Sequence, residues 1–230
     1  MQTLLEIACF NERAARIAAA SGADRIELCV DYAVGGTTPT VTSVQALATE
    51  LSIPIFVMIR PRAGDFCYTA AELDTMCASI EAMQEAGAAG LVLGALTAQQ
   101  QIDKAACQQL LRAAGALPCT FHRAFDLLDN PIEGISILQE LGFVRILCSG
   151  GQGHAANNLE QLKKYFSVTH NNIIIVPGGG VRPDNIRPLL LATGAKEVHS
   201  AALNSAEPFN NTCDPAMIRL MQQQIKDLSI

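Results

Sequence analysis

The chain has 230 residues, 50% apolar and 17% charged, enough apolar material for one substantial core and too much for a disordered chain. Sixteen basic against 22 acidic residues leave a net charge of −6, and without a dense Lys/Arg run no nucleic-acid partner is expected. The opening MQTLLEIACF lacks a basic segment leading into an apolar one, and no apolar stretch is long enough to span a bilayer. A cytoplasmic protein with no membrane partner is therefore expected.

Apolar runs recur at 4–9, 25–30, 53–59, 90–96, 118–125, 144–149, 172–177 and 197–203, which makes eight strand candidates. Helix starts are written between them: Asn11 before ERAARIAAA, Thr69 and Glu72 as a capping box, and Asn130-Pro131 as cap and first-turn proline. Four segments, GADRIEL, GAAGLVL, GFVRIL and GAKEVHS, begin on a glycine placed to end a helix and run straight into strands two, four, six and eight. Eight strand-helix steps in a chain of this length specify an α/β fold, a (β/α)8 TIM barrel in one domain over 1–230. Asp214-Pro215 starts a closing C-terminal helix over about 214–228. An open doubly wound sheet is the alternative, but no Gly-rich turn follows the first strand.

In such a barrel the chemistry gathers where the strands end. Period-two alternation puts Glu6 with Leu4 and Ala8 on one face of strand one, and Glu27 with Arg25 and Cys29 on one face of strand two. Both carboxylates are candidate acid/base groups, and the plainer alternative is that each is paired with an arginine. Arg60 and Arg62 share a face if strand three stays extended through Pro61, and their guanidinium forks suit a carboxylate or phosphate, or else the two glutamates.

Strand five carries TFHRAFD. Alternation places His122 and Asp126 inward as candidate acid/base residues, Phe121 and Phe125 outward against helices, and Arg123 at the rim. After strand six come Ser149 and Gly150, after strand seven Gly178, Gly179 and Gly180, and on strand eight His199 and Ser200. Glycine turns there let backbone N–H groups approach an anion, so these residues join the arginines as a candidate anion site. Tight turns alone also call for glycine.

The eight cysteines form no CxxC pair, so they are expected to be reduced core residues rather than a disulfide frame or zinc site.

Taken in order across nearly the whole chain, ADRIELC, GGTTPT, VMIRPRAGDFCY, TFHRAFD, PGGGV and EVHSAA resemble the CutC family, the copper homeostasis proteins. The resemblance implies a TIM barrel, a cytoplasmic homo-oligomer, a role in copper control and Cu(I) as possible cargo, with Cys29 as the candidate metal ligand. This chain departs from the family at Ala8, where the family commonly carries a cysteine, and its Cys9 falls on the opposite face. Met58 is the other sulfur side chain for Cu(I) if it faces inward. Two functions follow: a copper homeostasis protein, or an enzyme acting on a small anionic or phosphorylated metabolite by general acid/base chemistry.

Overall fold

The computed structural model describes residues 3–169, 173–203 and 211–228. Among these residues eight strands, β1 (Leu4–Cys9), β2 (Arg25–Leu28), β3 (Ile55–Met58), β4 (Gly90–Leu93), β5 (Cys119–Phe121), β6 (Arg145–Cys148), β7 (Ile174–Pro177) and β8 (Glu197–Ser200), alternate with eight α-helices. The helices are α1 (Glu12–Ala20), α2 (Val41–Glu50), α3 (Ala70–Glu85), α4 (Lys104–Ala114), α5 (Pro131–Leu141), α6 (Leu159–Thr169), α7 (Ile186–Thr193) and α8 (Pro215–Asp227). The strands are parallel in the order β7-β6-β5-β4-β3-β2-β1-β8, and β7 lies against β8 to bring the sheet round to a nearly closed barrel. The closing helix is α8; residue 172 of the seventh strand candidate and 229–230 of the chain lie outside the described residues.

The helix signals act as local chemistry predicts. Asn11 Oδ1 accepts from the Ala14 N–H, Thr69 and Glu72 close a reciprocal capping box, and Asp214 caps α8 with Pro215 in its first turn. Gly22, Gly87, Gly142 and Gly194 all have positive φ, from 65° to 100°, the left-handed turn by which a helix hands over to a strand.

Alternation along each strand divides the apolar residues into two cores. Outward side chains such as Leu5, Ile7, Ile26, Val57, Leu93, Phe121 and Ile146 pack against the helices, and Phe121 and Phe125 meet Phe143 and Tyr165 edge to face. Inside the barrel a small separate cluster holds Cys29, Phe56, Met58 and Val92. Branched apolar layers usually fill such an interior; here the inward positions also carry Glu6, Arg25, Glu27, Thr120, Arg145, Glu197 and His199, all buried or nearly so, and these form the floor and walls of a site.

Candidate functional site

The floor is ionic and closed. Arg25 Nη1 donates to Glu197 Oε2 at 2.6 Å and to Glu6 Oε2 at 3.2 Å, and Arg145 Nε lies 3.2 Å from Glu197 Oε2. Both guanidinium carbons also lie over the Phe56 ring, at 4.5 and 4.4 Å from its centroid, so N–H groups that find no oxygen face an aromatic surface. Gly90 makes room for that ring: a Cβ there would come within 2.5 Å of it.

Above the floor, Glu6, Glu27 and His199 converge. Each offers a donor atom within 4.8 Å of the others. Glu6 Oε1 and His199 Nδ1 are 2.7 Å apart. Burial alone would raise Glu6, but the His199 bond and charge, together with Arg25, lower its pKa. Burial alone would lower His199, but Glu27 and Glu6 raise it. This is an ion pair in the sense that each partner favours the charged form of the other. Glu27 differs: burial, opposed by His199 and reinforced by Glu6, pushes it up to about 7, and its Oε2 has no partner in the protein.

These groups open into a cavity of about 380 Å³ whose wall includes Glu27, His199, Ala8, Met58, Arg60, His122 and Arg123. It sits at the C-terminal ends of the strands, where a barrel of this type carries its chemistry. Arg60, 5% exposed, donates to the carbonyls of Val34, Gly36 and Gly64 at 2.7 to 3.0 Å. It fastens two mouth loops while its charge remains at the wall. Thr38, in the GGTTPT segment after β2, bonds the Arg60 backbone in both directions.

Strand five ends earlier than alternation predicts. His122 Nδ1 accepts the Ala124 N–H at 3.3 Å and starts a 3-10 turn over Arg123–Leu127, so Asp126 leaves the inward face and does not join His122 at the cavity. Its carboxylate accepts from the Ser149 N–H at 2.8 Å and from Arg123 Nε at 2.9 Å, which aims Arg123 at the cavity. Arg62 also leaves the expected face: it pairs with Glu72 and Asp65 and donates to the Cys67 carbonyl, tying the loop after β3 to the start of α3. Its shared face with Arg60 required the strand to stay extended through Pro61, but β3 ends at Met58 and the chain bends over Arg62–Gly64.

Of the glycine-rich loops, Gly179 and Gly180 line the cavity. Both have positive φ, and a Cβ at Gly180 would lie 1.8 Å from His154 Nδ1, while one at Gly179 would lie 3.2 Å from Arg123 Cζ. Ser149, Gly150, Gly178 and Ser200 support this wall from behind: Ser200 Oγ donates to the Val181 carbonyl at 2.7 Å, and Gly178 packs on Leu147 and His199. Sequence reasoning passed over Arg182 and His154, which also line the cavity. Arg182 follows PGGGV directly, and that adjacency was the available signal.

The donor set for a soft metal is narrow. Cys29 is buried and packs with Met58, but burial and Glu27 push its thiol pKa well above the usual range. Ala8 occupies the neighbouring inward position on β1, and Cys9 points into the outer core beside Cys213. Cu(I) prefers two converging sulfurs, so its match is confined to Cys29 with Met58. The Glu6, Glu27 and His199 set suits a harder divalent ion, yet Arg25 and the His199 proton already balance Glu6.

Fold and site thus define a (β/α)8 barrel with a cavity lined by charged residues at its C-terminal mouth. The chain belongs to the CutC family, whose profile matches residues 3–204. It is 40% identical over 204 residues to a human protein named copper homeostasis protein cutC homolog, covering 89% of this chain and 75% of that one. A CutC family protein of Klebsiella pneumoniae is 42% identical, covering 86% and 80%. A CutC crystal structure from Streptococcus agalactiae superimposes with a TM-score of 0.82 at 35% identity, over 87% of this chain and 99% of that one. Phosphoribosyl anthranilate isomerase from Thermotoga maritima, TM-score 0.65 at 14% identity over 98% and 99%, shares the barrel alone.

Proposed function

We propose that the mouth cavity binds a small anionic metabolite and moves a proton on it, with Glu27 as the acid/base group. The observation that carries this reading is Glu27 Oε2, buried at the cavity wall with no partner in the protein. A carboxylate with a pKa of about 7 both takes and gives a proton at neutral pH. The Glu6–His199 pair beside it holds the local charge, and Arg123, Arg182 and the Gly179–Gly180 backbone supply the positive rim for an anion. Asp126 acts through Arg123 as a positioning residue. Inorganic phosphate and pyruvate, screened by thermal shift, are the probes. A ligand that binds only the folded chain raises its melting temperature, and that rise is lost in Arg182→Ala. No rise with either probe, or an equal rise in the variant, sinks the anion site.

Copper is the second reading, favoured by the packing of Cys29 against Met58 and by the names of the curated relatives. In it the chain carries Cu(I) on these two sulfurs as part of copper homeostasis in the cytoplasm. All eight cysteines are free thiols, which suits a reducing compartment, and no helix among the described residues is long and apolar enough to cross a membrane. Cu(I) stoichiometry decides it: one ion per chain is expected, lost in Cys29→Ser, and equal loading of both chains rules out the Cys29 site.

A further inference from the structure

Among the described residues, three side chains lining the cavity carry a buried polar atom without a hydrogen-bond partner: Glu27 Oε2, His122 Nε2 and Arg60 Nε. Glu27 is 4% and His122 3% exposed, and both side chains line the same wall. Leaving a buried polar atom unpaired costs roughly 1–3 kcal/mol. The Arg60 guanidinium is already engaged by three loop carbonyls and the Phe66 ring, so Glu27 Oε2 and His122 Nε2 are the positions left for ligand atoms to complete.

Their chemical roles are opposite, and geometry sets both. His122 Nδ1 already accepts the Ala124 N–H, so in the neutral ring the proton sits on Nε2, and the unpartnered atom is a donor. Contacts with Phe66 and Phe121, at centroid distances of 4.7 and 5.7 Å, fix the ring plane. Gly94 leaves space for the ring: a Cβ there would come within 2.9 Å of His122 Cε1 and 2.8 Å of Phe121. Burial and the charge of Arg60 push the imidazole down to about 3, so it stays uncharged throughout the neutral range. With Nδ1 engaged and Nε2 protonated, His122 is an electrophile rather than the base that its place in the TFHRAFD run suggests. Glu27, ionised, is an acceptor only.

A neutral imidazole N–H that polarises a carbonyl oxygen, on the same cavity wall as a carboxylate oxygen with no partner of its own, is the combination that proton abstraction next to a carbonyl requires. We propose that this site enolises a small anionic carbonyl compound, Glu27 taking the proton from the carbon beside the carbonyl and His122 Nε2–H holding the carbonyl oxygen. The C–H electron pair becomes the carbon–carbon double bond, and the carbonyl π pair moves to the oxygen. Protonated Glu27 then returns the proton to the same carbon or, through the enediol of a hydroxy ketone, to its neighbour. No oxidant, reductant or second substrate enters the balance. The proposal rests on the anion-site reading, because Arg123 and Arg182 hold the charged end of the substrate.

The test uses the full chain in D2O with dihydroxyacetone phosphate and pyruvate, following the hydrogens beside each carbonyl by proton NMR and binding by thermal shift. The expected result is deuterium wash-in for at least one compound. Glu27→Gln, which keeps the side-chain shape, slows it by about 100-fold or more while the thermal shift remains. His122→Phe, which fills the ring space without a donor, is expected to slow it as well. Binding without wash-in, or wash-in at the wild-type rate in Glu27→Gln, overturns the enolisation and leaves the anion site standing. If neither compound binds, both readings fall together.

Discussion

At the floor of the barrel Arg25 and Arg145 share Glu197 and lie over the Phe56 ring. One layer higher, Glu27 and His122 line the cavity, and each carries a buried polar atom with no hydrogen-bond partner among the described residues. Both layers are buried and both are built from ionisable residues on alternate strand positions. The floor remains charged because every charge has a counter-charge within hydrogen-bonding range. Glu27 and His122 lack that, and burial drives each towards its neutral form, Glu27 up to about 7 and His122 down to about 3. Pairing of buried charge makes structure; its absence, at a wall that opens to solvent, makes a site that a ligand can complete.

The sharpest way to break this comparison is to open the floor. Glu197→Ala leaves Arg145 without a carboxylate and Arg25 with Glu6 alone, at 3.2 Å. Removing one partner of a buried ion pair typically costs about 3–5 kcal/mol, because the remaining charge stays buried without compensation. A loss of that size is expected in urea unfolding. A loss below about 1 kcal/mol, the range of exposed pairs, would mean that the floor is no more structural than the surface.

The two layers were not equally readable in the sequence. Alternation on β1 and β2 is regular, so Glu6 and Glu27 could be placed inward from spacing alone, and the glycines before the even-numbered strands marked the barrel repeat. That Arg25 meets Glu197 was not readable, since 172 residues separate them and only ring closure brings β8 beside β1. On strand five the period fails because a side chain competes for the backbone: His122 captures the Ala124 N–H, ends the strand at Phe121 and turns Asp126 aside. Arg62 fails because β3 ends at Met58 and the chain bends from Arg62 itself. Arg182 and His154 reach the cavity from loops, where no period reports direction.

A smaller effect of opposite sign is expected at the mouth. Glu27 is raised from 4.5 to about 7 by burial and Glu6, against the pull of His199. The folded chain therefore binds this proton more tightly than the unfolded one, and the stability it contributes is complete below pH 4.5 and lost as pH rises through about 7. Glu27→Gln removes the ionisation and keeps the volume. It should match the native chain at pH 4 and be more stable at pH 9, by an amount on the order of 3 kcal/mol. The measurement is the difference in melting temperature between the two chains across that range. A difference that does not change with pH would mean that Glu27 carries its charge as comfortably as Glu6, and the contrast between floor and mouth would collapse. A rise centred near pH 7 would tie the stability lost at the mouth to the same proton that the proposed chemistry moves. The carboxylate that destabilises the folded barrel when ionised would then be the one whose charge the bound substrate puts to use.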